Sequence, residues 1–162
     1  MQLEWSVVLD TGARSAGFTL IELMLGIAVA AVLLAVAVPS FQNVTANNAL
    51  RATTADLVTA INTARAQAVN LRQPVVLRHL GSSWNDGWEL FYDSARTEGD
   101  QSFHPAGKAT VTSGVDEIQF LPSGIIASNV EFEICDDRSG ESGRKIQVGR
   151  FGVIENNVFT CS

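Results

Sequence analysis

Side chains that do chemistry are scarce in this chain of 162 residues, which has two cysteines, two histidines and a single tyrosine. Cys135 and Cys161 lack the close pairing of a zinc site, and neither His79 nor His104 stands at metal-ligand spacing from them. A closed metal site would need more ligands than this. No glycine-rich phosphate loop, no G-x-S-x-G and no H-E-x-x-H occurs, so the common routes to phosphoryl transfer, serine hydrolysis and zinc proteolysis lose their motifs. His79 falls in an expected strand and His104 in an expected loop, where structural or solvated roles suffice. The sequence therefore predicts no catalytic residue, no metal and no cofactor. Positive charge is short as well, with 11 Lys and Arg against 17 Asp and Glu and a net charge of −6. That balance argues against general, sequence-independent nucleic-acid binding. Internal repeats and low-complexity linkers are absent too.

The charge that is present is unevenly placed. Between Asp86 and Asp137 acids dominate, opposed only by Arg96 and Lys108. Arg51, Arg65, Arg72 and Arg78 precede that stretch, and Arg138, Arg144, Lys145 and Arg150 follow it. An acidic middle with two basic flanks suits electrostatic matching between subunits, or simply solvated faces. Asp136 and Asp137 are a candidate cation pair, with a solvated acidic loop as the alternative.

One long apolar run stands out, Phe18 to Val38, interrupted only by Glu22. At 1.5 Å per residue it is long enough to cross a hydrocarbon core of roughly 30 Å. A carboxylate in that environment costs roughly 2.5–3.5 kcal/mol, so a chain that keeps Glu22 implies a partner for it. Two other readings stay open. Arg14, the apolar run and Ala35-Val36-Ala37 also fit a secretory signal peptide, which would release a domain starting near Val38. Glu22 inside the apolar region and Pro39 just after the cut speak against that. The run could also be an uncleaved single-span anchor.

Beyond Pro39 the period becomes helical. Leu50, Leu57, Ile61, Ala64, Ala68 and Leu71 form one apolar stripe, with Arg51, Asp56, Arg65 and Arg72 mostly off it. Alanines on the stripe let a sheet approach closely. Pro74 disfavours helix just before itself, so the helix is expected to stop between Leu71 and Gln73. Strands follow: Val75 to Leu80, Trp88 to Tyr92 after an Asp86-Gly87 turn, a third around Ile118 and Phe120, and an alternating one through Val130, Phe132 and Ile134. Lys145–Val148 and Val153–Cys161 read as a final hairpin turning at Gly149 to Gly152. Asp93 to Gly114 reads mostly as loop. The expected fold is α+β: a long N-terminal helix, membrane-spanning in its first half, packed on a small antiparallel β-sheet domain.

The join Ala13-Arg-Ser-Ala-Gly-Phe-Thr-Leu-Ile-Glu22 resembles the processing site of type IV prepilins and pseudopilins. The resemblance implies cleavage by a prepilin peptidase between Gly17 and Phe18, and N-methylation of Phe18. Glu22 then takes the place of the family's assembly glutamate, and Pro39 that of its helix-kinking proline. The carboxylate of Glu22 would pair with the α-amino group of a neighbouring Phe18 inside lipid. Residues 1–17 carry Glu4 and Asp10 against the single Arg14, whereas prepilin leaders are usually basic.

The rest of the chain resembles the FimT/GspH branch, in A-R-A-Q-A-V near the helix end, W-N-D-G-W-E-L-F-Y-D, F-L-P-S-G and G-R-K-I-Q-V-G-R-F-G. That implies four segments: a leader over 1–17, a transmembrane half-helix over 18–38, an amphipathic half over 39–73, and a periplasmic β domain over 74–162. It implies a minor pilin, processed and then taking part in the assembly, priming or tip of a type IV pilus, with a type II secretion pseudopilin as the alternative. Partners would be other pilins or pseudopilins, the prepilin peptidase and the inner membrane. Some FimT-type pilins bind DNA through a G-R-x-R motif; here the stretch is Gly143-Arg144-Lys145-Ile146, with an apolar residue in place of the second arginine. Arg138, Arg144, Lys145 and Arg150 are the candidate DNA contacts, against ordinary strand-edge charges. Given an export signal, the even cysteine count reads as one disulfide, Cys135–Cys161.

Overall fold

The structure is a computed structural model that describes residues 17–92, 101–138 and 140–162. It divides into two compact units, Met1–Ser40 and Phe41–Ser162. A helix α1, Leu20–Leu71, begins in the first and ends in the second, with Pro39 inside it. Thr19 caps its start: the Thr19 Oγ1 accepts the Glu22 N–H at 3.2 Å, satisfying one of the donors a helix terminus leaves orphaned. In the first unit every described residue is exposed, including the apolar window of mean hydropathy 2.7. By length and composition this helix can cross a membrane.

In the second unit the expected stripe is the buried face. Leu50, Leu57, Ile61, Ala64 and Ala68 are buried, and Leu71 packs against the same core. Thr53, Thr54 and Ala60 widen it. Thr54 can be buried because its hydroxyl donates to the Leu50 carbonyl at 2.7 Å; Thr53 Oγ1 accepts the Ala106 N–H at 2.9 Å. The helix ends as Arg72 turns into the left-handed region, with φ of 53°, just ahead of Pro74.

Among the described residues eight strands follow, in two antiparallel sheets. The first has the order β3-β2-β1-β5, from β1 (Val75–His79), β2 (Trp88–Phe91), β3 (Gln101–Phe103) and β5 (Glu117–Phe120). The second has the order β4-β6-β7-β8, from β4 (Thr110–Ser113), β6 (Val130–Cys135), β7 (Ser142–Val148) and β8 (Ile154–Thr160). Both sheets and the helix share one core, where Trp88, Phe120 and Phe132 are fully buried. Trp84 sits edge-on to Phe132 at 4.8 Å and donates its indole N–H to the Val115 carbonyl at 2.7 Å.

Two expectations need correction. The stretch from Asp93 to Gly114, read mostly as loop, contains β3 and β4; its residues 93–100 lie outside those described. Each of these strands is short and polar, with only Val111 buried between them, so backbone pairing holds them and no apolar alternation announces them. β5 and β6, successive along the chain, join different sheets. Strand β7 begins at Ser142 rather than Lys145, because Ser142 and Gly143 pair with Thr160 and Phe159.

Arg65 lies at the edge of the apolar stripe and is half-buried, its Nε donating to the Gly124 carbonyl at 3.1 Å and its Nη1 to the Gly152 carbonyl at 3.2 Å. Both glycines have φ of 75°, and a Cβ on Gly152 would come within 2.7 Å of the guanidinium carbon. One side chain thus ties the helix to two tight turns. Arg65→Ala is expected to cost about 1.5–3 kcal/mol, the range for hydrogen bonds from a charged donor. Arg65→Lys should not restore it, since a single ammonium cannot span both carbonyls as the fork does. The check is a lowered urea midpoint at unchanged slope.

Candidate functional site

The first set of candidate residues is Gly17, Phe18 and Glu22. Among the described residues, a Cβ built on Gly17 meets nothing within 4 Å. Packing among the described residues gives no reason for glycine there. Phe18 is 84% exposed. Glu22 is the only acid of the helix's first turn, and among the described residues its carboxylate has no hydrogen bond or ion pair. An apolar, wholly exposed helix start with one unpartnered carboxylate can do one thing well: pack against other apolar helices that bring a cation. The Thr19 cap was not foreseen, although T-x-x-E is a readable helix-start signal.

The second set is the four cations of the tail, and the sheet divides them. Successive residues on a strand face opposite sides. Arg144 shares its face with Ile146 and Val148, both buried toward the helix, and lines a cleft with Arg51, Thr54 and Asn156. Lys145 points to the outer face, where its Nζ meets Glu131 at 2.7 Å and Glu133 at 2.9 Å. Those two hydrogen bonds, first that to Glu131, hold the lysine above its ordinary pKa, and the bond from Lys145 holds Glu131 below the usual carboxylate range. Arg138 is bound to Asp136 at 2.6 Å and reaches Asn43 and Asn47 on the helix at 3.1 and 3.0 Å. Its bond lowers the pKa of Asp136, whose side chain is only 2% exposed. Arg150, exposed, stands in the turn between β7 and β8.

The candidate cation pair is likewise engaged: Asp136 with Arg138, and Asp137 with Lys108 at 2.5 Å. No cluster of three metal-ligating side chains occurs among the described residues.

Cys135 and Cys161 form a disulfide with Cα atoms 6.0 Å apart. It runs from the end of β6 to the residue after β8, across β7 at Gly143. A Cβ there would collide with the Cys161 sulfur and lie 2.7 Å from the Ile134 carbonyl. Gly143 therefore serves the bridge. Sequence reading singled the residue out without that reason.

A family model described as Type II transport protein GspH matches residues 53–152. The chain belongs to the GspH family. A second model, the prokaryotic N-terminal methylation motif, matches residues 12–38. Two crystal structures of the type IV minor pilin FimU from Pseudomonas aeruginosa (strain PAO1) share the fold. The one in space group P21 gives a TM-score of 0.60 at 21% identity, covering 70% of this chain and 91% of that one. The one in P65 gives 0.56 at 19%, covering 66% and 91%. No curated protein sequence matches. With its methylation motif, this GspH-family chain is a minor pilin or pseudopilin of a type IV pilus or a type II secretion machine. Such chains are processed by prepilin peptidase and assemble with other pilins.

Proposed function

We propose that this protein is cut between Gly17 and Phe18, methylated at Phe18, and joins the priming or tip complex of a type IV pilus or a secretion pseudopilus. Before assembly it would wait as a single-pass protein of the inner membrane, with residues 74–162 in the periplasm. Its role is structural, without catalysis. The observation that carries the reading is the N-terminal set: a glycine not crowded by any described residue, an exposed phenylalanine, and a carboxylate without a partner among the described residues on an exposed apolar half-helix. Gly17 suits a peptidase that tolerates no side chain before the cut. The freed amine of Phe18 and the carboxylate of Glu22 would set the register between neighbouring helices, since charges in hydrocarbon are tolerated only when paired. Pro39 removes a backbone hydrogen bond and permits a bend at that point.

The four tail cations lend little support to a DNA receptor. Arg144 and Lys145 face opposite sides of β7, and Lys145 and Arg138 are each held by carboxylates. Their division favours assembly over DNA retention.

Mass spectrometry of the mature N-terminus, from membranes of a peptidase-competent host, tests the reading. The expected chain begins at methylated Phe18. A start near Val38, or an intact leader, would overturn it.

A further inference from the structure

The edges of the two sheets are unequal. β3 has three residues and β5 four. The four-residue β4 has its Val111 N–H taken by Asn85 Oδ1 at 2.7 Å. β8 runs for seven residues, paired with β7 throughout and with no other strand among those described. Natural edges are usually blunted by lysine, proline, a bulge or shortness. β8, Ile154-Glu-Asn-Asn-Val-Phe-Thr160, has no lysine or proline, one charge, and Val158 at 60% exposure.

Beside this edge, on the helix side, lies the cleft of about 270 Å³ lined by Arg51, Thr54, Ala55, Val58, Arg144 and Asn156. Arg65, Arg78, Lys108, Arg138 and Lys145 all bond to protein acceptors. Arg51 and Arg144 have no side-chain partner among the described residues, yet they line one cleft. Both are therefore open to a carboxylate entering the cleft, which would meet them with charge-assisted bonds.

We infer that the β8 edge and the Arg51–Arg144 cleft receive an extended acidic strand from another subunit of the assembly. Strand addition would extend the second sheet through backbone hydrogen bonds. The incoming strand's alternate side chains would fall on the helix side, opposite Asn156 and Val158, and there an acidic residue meets both guanidinium groups. The opposite face bears Glu155 beside the Glu131–Lys145–Glu133 network and disfavours acids, so the strand's outward residues should be neutral. A nucleic-acid backbone fits this place less well: it cannot satisfy a ladder of alternating donors and acceptors, and the outer face is acidic. The inference rests on the assembly reading only in naming the partner as a fellow subunit.

The test uses the full mature chain in detergent micelles and a short fluorescent peptide alternating valine and glutamate, followed by anisotropy. Arg144→Glu and Arg51→Glu should each weaken binding roughly 10–100-fold, as expected for loss of a charge-assisted pair. Thermal melting of both variants, unchanged, would show that the fold survives. N-methylating alternate peptide nitrogens, or replacing glutamate by lysine, should abolish binding. Equal binding of the N-methylated or lysine peptide, indifference to both arginine changes, or no binding at all would overturn the inference. So would a duplex oligonucleotide that displaces the peptide and loses affinity with the same two variants. A methylated Phe18 terminus alongside failed peptide binding would sink this inference alone and leave the assembly reading standing.

Discussion

Glu22→Ala is expected to reduce incorporation of the mature chain into filaments by roughly a hundredfold to a few thousandfold. Removing one partner from a charge pair in hydrocarbon costs about 3–5 kcal/mol, and every 1.4 kcal/mol or so is a factor of ten. In the filament the lost partner leaves a neighbour's α-amino group without a counter-charge. Glu22→Gln should fail almost as badly, because an amide offers hydrogen bonds but no charge. Glu22→Asp should retain part of the function, its carboxylate being one carbon shorter. Cleavage and methylation need not suffer, since Gly17 and Phe18 are untouched. The domain's melting temperature should not move either, because Glu22 belongs to the other compact unit and has no partner in the chain among the described residues. Filament fractions probed by immunoblot, beside the melting curve, separate an assembly defect from a folding defect. Normal incorporation of Glu22→Ala would remove the pairing mechanism.

Replacing Cys135 and Cys161 by serine together should lower the stability of the β domain by about 3–4 kcal/mol. The separation of 26 residues sets that size, through the chain entropy a closed loop removes from the unfolded state. The loss should be felt most in β8. That strand buries little, with Ile154 and Phe159 only partly covered and the residues between them exposed. It is held by its ladder with β7 and by the bridge just past its end. Amide exchange should therefore accelerate in β8 before β6 or β7, and the peptide affinity of the edge should fall with it. Gly143→Ala in the serine background should be milder than in the native chain, because the Cys161 sulfur no longer occupies the space beside it. If β8 exchanges no faster in the double-serine variant, the bridge contributes to global stability alone.

Much of this was legible along the chain because it is local. The stripe from Leu50 to Leu71 repeats at helical spacing, and each of its members is buried or packed on the core. Pro74 ends the helix within three residues of its observed stop at Leu71. The alternation of Val130, Phe132 and Ile134 is the inner face of β6. The processing motif is local too, since a peptidase reads a stretch of chain rather than a fold. Other features had no local signal. β3 and β4 are edge strands whose side chains are mostly exposed, so nothing in their sequence alternates. Arg65 looks like any charge at the margin of a helical stripe, and only the approach of two distant glycine turns gives it acceptors.

By itself the sequence determined the class of the protein: an apolar helix with one carboxylate inside an N-terminal methylation motif, followed by an amphipathic helix and antiparallel strands. Period, spacing and motif suffice for that, because each is set by neighbours within a few residues. Tertiary structure alone decided which charges are spent and which are free. Arg144 and Lys145 are adjacent in sequence, yet the pleat of β7 sends one toward Arg51 on the helix and the other to Glu131 and Glu133 on β6. Strand pairing brings those neighbours in from another part of the chain, and no local pattern encodes which strand will lie alongside.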